Sequence, residues 1–355
     1  MKKRVTIQTI IFFAMAISVL GFAFSTSQVM AQQITLTFAT NTPPSGFKGE
    51  AEIIFIEELE KASGGKIKVK PFWAESLVTL GEMLKGVADG IADMGQLNIA
   101  YYPTQMPINS GFLLFDQGPV GYMAKIRAYK KIYKEIPGIN EELEKNNQKI
   151  VYMYASTPII MAFNRPVKNM SQIKGLKVRT PSRYAMFVLK ALGAEPVNLP
   201  WGDVYMAMQT NSIQGVIGNM DNIHRTKLYE VAPHMLMMDK LWTPIPFLIT
   251  INKKKWESLP EEVKQSFSKA AANAEARFAD RYNKWVKTII SDIQKGKTTI
   301  TTASKADYDA WLKSPAQQQN HAGWIKSVTA AGVKEPERLI ARMEAIVKEE
   351  IDKEK

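Results

Sequence analysis

Arg179 ends the run Leu176-Lys177-Val178-Arg179, which reads as a short strand; Thr180-Pro181-Ser182 breaks it, and Tyr184 to Leu192 reads as a helix stopped by Gly193. An arginine at the carboxyl end of a strand in an open α/β sheet stands where ligands are held. The N-terminus of the next helix, near Ser182, adds backbone N–H groups suited to an anion. The planar guanidinium is always charged and grips both oxygens of a carboxylate, with hydrogen bonds worth roughly 1.5 to 3 kcal/mol each. A carboxylate is therefore the expected guest, and a surface pairing with a neighbouring acid is the competing reading. Trp201, between Pro200 and Gly202-Asp203, is placed to stack on a ligand or to pack in a core. Tyr205 is open between the same two roles. Arg183 adds either a second charge or an exposed helix position.

Other chemistries find little support. Cysteine is absent from the 355 residues, which removes disulfides, thiolate metal sites and cysteine nucleophiles. The three histidines, His224, His234 and His321, have no i, i+4 pairing. Neither a Gly-x-Ser-x-Gly elbow nor a Gly-x-Gly-x-x-Gly turn occurs, and Gly296-Lys297-Thr298 lacks the earlier glycine of a phosphate loop. No cofactor, metal or catalytic residue is expected. Met206, Met208, Met235, Met237 and Met238 read as core filler.

The elements that must position Arg179 follow from periodicity. Thr35 to Thr40 alternates as a strand, Phe47 to Ala62 repeats at helical spacing up to Gly64-Gly65, and Lys66 to Phe72 is a second strand. Leu80 to Val87 reads as a helix and Ala92 to Gln96 as a third strand, which makes a parallel α/β unit. Loops at its strand ends hold Asn41, Trp73, Gln96 and Asn98, candidates for this unit's half of a cleft. Tyr101 to Gly121 shows no clean period and no visible chemistry; a helix from about Tyr122 to Asn146 and a strand from Lys149 to Ala155 follow. Pro244-Ile245-Pro246 to Asn252 reads as a crossover. From Pro260 to Lys295 one stripe of apolar residues predicts a single helix, with Glu261-Glu262 at its positive end. Helices near Ser304 to Leu312, Gln317 to Ala331 and Pro336 to Glu350 close the chain.

Together, KGLKVRTP from Lys174 to Pro181, the helix, the Gly193-Ala194 turn and PWGDVYMAMQTNSIQG from Pro200 to Gly215 resemble the core signature of the DctP-type substrate-binding proteins of TRAP transporters. The similarity runs from about Ile34 to the last helices, and includes Asn164-Arg165-Pro166 and Met170 to Gly175. It implies a two-lobed α/β fold of the periplasmic-binding-protein kind, with a hinge and a long helix under both lobes. It carries the carboxylate clamp onto Arg179, the pocket wall onto Trp201, and polar contacts onto Asn41 and Asn98. The family's Asp-Gly-x-Glu-Asn segment is replaced by Gln214-Gly215-Val216-Ile217-Gly218-Asn219, so the amide position falls on Gly218 with Asn219 beside it. Ile159 occupies the place of the second arginine of sialic-acid-binding members. Trp73, Trp201 and Gly218 suit a monocarboxylate with an apolar or aromatic body.

Length also suits two lobes. Lys2-Lys3-Arg4, an apolar run from Ile10 to Phe24 and small residues at Val29 and Ala31 read as a secretory signal peptide over 1–31. Its removal takes the formal net charge from +12 to +9. Lysines spread over helix faces make that basic excess a solvated surface; with an export signal no nucleic-acid partner is expected. The lobes are expected at 32–156 plus about 246–285, and at 157–245 plus about 286–355. With no cysteine for a lipid anchor, a periplasmic monomer is the expectation, serving the small and large membrane subunits of a TRAP transporter. A periplasmic enzyme acting on a carboxylate, or a receptor for an ABC importer or a signalling partner, remains the alternative.

Overall fold

The computed structural model of the chain describes residues 33–115, 117–238, 240 and 246–355. The expected signal peptide and the crossover residues Pro244 and Ile245 lie outside them. The first lobe opens as β1 (Ile34–Ala39), α1 (Gly46–Ala62), β2 (Ile67–Phe72), α2 (Met83–Ala88) and β3 (Met94–Asn98). β1 pairs in parallel with β2 and β3. The third strand ends two residues later than its sequence suggests, which puts Asn98 at its carboxyl end. Two helices, α3 (Tyr122–Glu135) and α4 (Ile139–Lys145), replace the single one expected over 122–146. Pro137 has no backbone N–H to donate and Gly138 takes φ +78°, so the chain turns there.

β4 (Gln148–Ala155) returns to the first sheet, and the chain then crosses into β5 (Ile159–Phe163), β6 (Lys177–Arg179), α5 (Arg183–Ala191), β7 (Glu195–Val197), α6 (Val204–Gln209), β8 (Gly215–Asn219), α7 (Met220–Arg225) and β9 (His234–Met237). β10 (Pro246–Asn252) crosses back and lies antiparallel between β3 and β4. Among the described residues the first sheet has the order β2-β1-β3-β10-β4 and the second β11-β9-β5-β8-β6-β7, where β11 is Thr299–Thr302. Two crossings between two sheets form a hinge. The second sheet is packed on both faces: along β5, Ile159, Met161 and Phe163 face one apolar cluster while Ile160 and Ala162 face another, the period-two alternation a strand imposes.

After α8 (Lys253–Ser258) comes α9 (Glu261–Gln294), whose 34 residues span on the order of 50 Å. Val263, Phe267, Ala274 and Phe278 bury into the first lobe's core, and Ile289 and Ile293 into the second's. One helix thus underlies both lobes. Phe47 of α1 meets Phe278 and Tyr282 edge-on at 5.0 and 5.6 Å.

The C-terminal helices depart from the expected grouping. α10 (Lys305–Leu312) stays with the second lobe through Trp311. α11 (Pro315–Ala330) and α12 (Pro336–Asp352) instead bury Trp324, Val328, Ile340 and Met343 in the first lobe's core. Trp324 is fully buried and its indole donates to Pro107 O at 2.9 Å, a partner only the first lobe supplies. The span 286–355 is therefore divided between the cores of the two lobes.

Candidate functional site

β6 ends at Arg179, and Ser182 caps α5 by accepting from Ala185 N at 3.3 Å, which fixes the strand-to-helix turn. Gly193, at φ +86°, ends the helix so that β7 can run beside β6. The result is a guanidinium only 2% exposed in a cleft between the sheets. Its Nε donates to Leu199 O at 2.8 Å, and its Cζ lies 5.2 Å from the centroid of the Trp201 ring. Four further N–H donors remain, and the Tyr101 hydroxyl takes up part of that capacity. No carboxylate among the described residues pairs with Arg179, and the group that faces it from the first lobe is the Tyr101 hydroxyl. Burial pulls the guanidinium's pKa down from its ordinary value, and Tyr101 opposes this.

Arg179 walls a cavity of about 130 Å³. Asn41, Asn98, Trp201, Gly218 and Asn219 line it as well, so six of the eight residues expected at the site share one cavity. Asn98 uses its Oδ1 to accept from Ala100 N at 3.1 Å, which leaves its amide N–H groups for a ligand. Asn219 donates to Thr157 O at 3.3 Å, across the first crossing. The space over Gly218 is filled by Trp201 itself: a Cβ on Gly218 would meet two indole carbons at 3.0 Å. The indole Nε1 is buried without a hydrogen-bond partner among the described residues.

Two expectations fail. Trp73 lies outside the cavity lining; it is half-buried, edge-on to Phe38 at 6.4 Å, because the chain turns away through Ala74 and Glu75 in left-handed conformation. Tyr205 points off the other side of α6 and donates to Glu230 Oε2 at 3.2 Å. Gln96, also considered for the cleft, is 1% exposed within β3 and absent from the lining.

Sequence reasoning missed Lys48, Tyr101, Asn222, Arg225 and Phe247, all on the cavity wall. Tyr101 lies in a stretch read as without chemistry. A signal for Lys48 existed: Lys48 and Glu52 sit i, i+4 on α1 beside the buried stripe Phe47, Ala51 and Phe55, so both are drawn inward. The lining holds three cationic side chains, Lys48, Arg179 and Arg225, and no Asp or Glu. Beyond this cavity a wider hollow of about 780 Å³ shares Arg179, Trp201 and Tyr101 and adds Arg183 and the acid Glu75. Among the described residues no cluster of His, Asp and Glu could hold a metal ion, and His224 faces Asp292 at 3.1 Å away from the lining. The arrangement concentrates positive charge on one cavity wall, and Ser156, which also lines it, donates to Asp221 Oδ1 at 3.4 Å.

The sequence profile of the DctP family, bacterial extracellular solute-binding protein family 7, matches residues 38–322. The 2,3-diketo-L-gulonate-binding periplasmic protein YiaO of Escherichia coli K12 is 28% identical over 261 residues, covering 71% of this chain and 75% of YiaO. Among solved structures, a TRAP solute-binding protein of Rhodoferax ferrireducens with copurified benzoate superposes with a TM-score of 0.78 at 17% identity, covering 91% of this chain and 100% of that one. DctP6 of Bordetella pertussis, a receptor binding pyroglutamic acid, gives 0.75 at 22% identity, covering 87% and 99%. The two lobes and the long α9 are shared with these structures, and the chain belongs to the DctP-type family of substrate-binding proteins of TRAP transporters.

Proposed function

We propose that the protein is a periplasmic receptor that takes one small organic acid between its lobes and delivers it to the small and large membrane subunits of a TRAP transporter, after removal of residues 1–31. The observation that carries this reading is the charge of the cavity: Arg179 is buried with no carboxylate partner among the described residues, and the lining of the cavity supplies cations without an acid. A buried charge left uncompensated costs several kcal/mol, so an anionic ligand beside Arg179 offsets that penalty. Arg179 comes from the second lobe, Asn41, Asn98 and Tyr101 from the first, so a ligand touching both favours the closed state. Trp201, Phe247, Leu80, Leu113 and Ile159 give the carboxylate's body an apolar wall. YiaO is named for a sugar acid and the fold neighbours hold benzoate and pyroglutamic acid, all compact carboxylates. Calorimetric titration of the mature protein with small organic acids tests the proposal: saturable binding of one acid per chain, with the acid recovered unchanged, is expected. Turnover of the acid would make the protein an enzyme instead, and amides or alcohols binding as tightly as the acids would remove the carboxylate from the account.

A further inference from the structure

Lys48 projects from α1 in the first lobe into the cavity that Arg179 walls from the second. Its side chain is 12% exposed, yet its ammonium makes no hydrogen bond to any described residue; the nearest carboxylate oxygen, Asp221 Oδ2 on α7, is 4.0 Å away. The carboxylate is held by its other oxygen: Asp221 Oδ1 accepts from Thr157 Oγ1 at 2.5 Å and from Ser156 Oγ at 3.4 Å, while Thr157 Oγ1 in turn accepts from Asp221 N, which keeps Oδ2 at that distance. On its other side the ammonium sits 4.1 Å from the centroid of Phe247. A ring face and a distant carboxylate leave all three of its N–H donors unused. A buried ammonium in this state gains from any oxygen acceptor brought into the cavity.

We infer that Lys48 is the specificity-determining residue of the first lobe, and that the solute is an oxygenated acid: a carboxylate for Arg179 and a second acceptor, an oxo or hydroxyl oxygen, for Lys48. The inference rests on the receptor reading above and narrows its substrate class. It also explains how closure is tied to the right ligand, since only an acid with both groups draws a charged donor from each lobe.

A panel of matched acids tests it, each plain acid set beside its oxo or hydroxy derivative, with pentanoate against 4-oxopentanoate and benzoate against 3-hydroxybenzoate among the pairs. Dissociation constants are measured by calorimetry for the mature wild type, Lys48→Met, Lys48→Arg and Arg179→Ala. The wild type is expected to prefer the oxygenated member of at least one pair by about tenfold or more, as a hydrogen bond to a charged group implies. Lys48→Met should cut that preference to roughly twofold while still binding the plain acid, and Lys48→Arg should restore part of it. Equal loss of both members in Lys48→Met, with an unliganded melting temperature that also falls, would make Lys48 a strut between lobes and overturn the assignment. An unchanged preference, or a wild type that favours no oxygenated acid, would overturn it too. Plain acids binding Arg179→Ala as tightly as the wild type would be the separate failure, that of the carboxylate clamp.

Discussion

Trp201 rests on the bare backbone of Gly218, so closely that a single added carbon would stand 3.0 Å from two atoms of the indole. The same ring carries Arg179 on its face at 5.2 Å. Three positions on separate elements thus act as one unit: the glycine sets the depth of the ring, and the ring bears the guanidinium.

Gly218→Ala should accordingly weaken ligand binding without unfolding the protein. Gly218 is not in a left-handed conformation, so the cost is crowding alone. Overpacking of this kind costs about 1 to 3 kcal/mol, which raises the dissociation constant roughly fivefold or more if the strain falls on Trp201. Titration calorimetry reads this directly, and an unchanged constant would place Trp201 outside the binding contact.

Glu52 makes stability depend on pH. Burial is the main cause that pushes its carboxyl up to about 7 from the usual 4.5, and hydrogen bonds, chiefly from the Tyr154 hydroxyl at 2.7 Å, with the charge of Lys48, restrain the rise. A folded-state pKa above the unfolded one means the folded protein holds the extra proton. The stability this group contributes is full below about 4.5 and is lost as pH rises through about 7. Denaturant titrations from pH 5 to pH 8 should show a decline on the order of 2 to 3 kcal/mol in the wild type that Glu52→Gln lacks. Parallel profiles for the two proteins would show that Glu52 does not titrate in this range.

Arg277 fastens α9 to α1. Its Nη1 donates to Glu58 Oε1 at 2.6 Å and its Nη2 to Glu57 Oε2 at 2.9 Å. The Glu58 side chain is 5% exposed and would keep only Asn273 as partner if the arginine were removed. Arg277→Ala is expected to cost about 1 to 3 kcal/mol in unfolding free energy while leaving ligand affinity near wild type. A loss below about 0.5 kcal/mol would class the pair with ordinary surface bridges.

Much of this was legible in the sequence because local chemistry decided it. Arg179 sits where strand, proline break and Ser182 cap placed it, and α9 runs within one residue of the span its apolar stripe drew. What failed depends on contacts distant in the chain. Trp73 and Tyr205 have the right types in the right loops or helices, yet Phe38 and Glu230 claim them. Trp324 reads only as an amphipathic helix residue until Pro107 takes its indole proton. Lys48 and Asp221 lie far apart in sequence on different lobes, and no periodicity joins them across a cleft.

The central claim is that Arg179 holds a carboxylate. Thermal unfolding of the mature protein against a library of organic acids, with Arg179→Ala measured in parallel, tests it most directly. An acid at about one hundred times its dissociation constant adds about 2.7 kcal/mol, which a melting-temperature shift reports. The account predicts a shift for the wild type with at least one acid and none for the mutant with that acid. An equal shift in both proteins would contradict it.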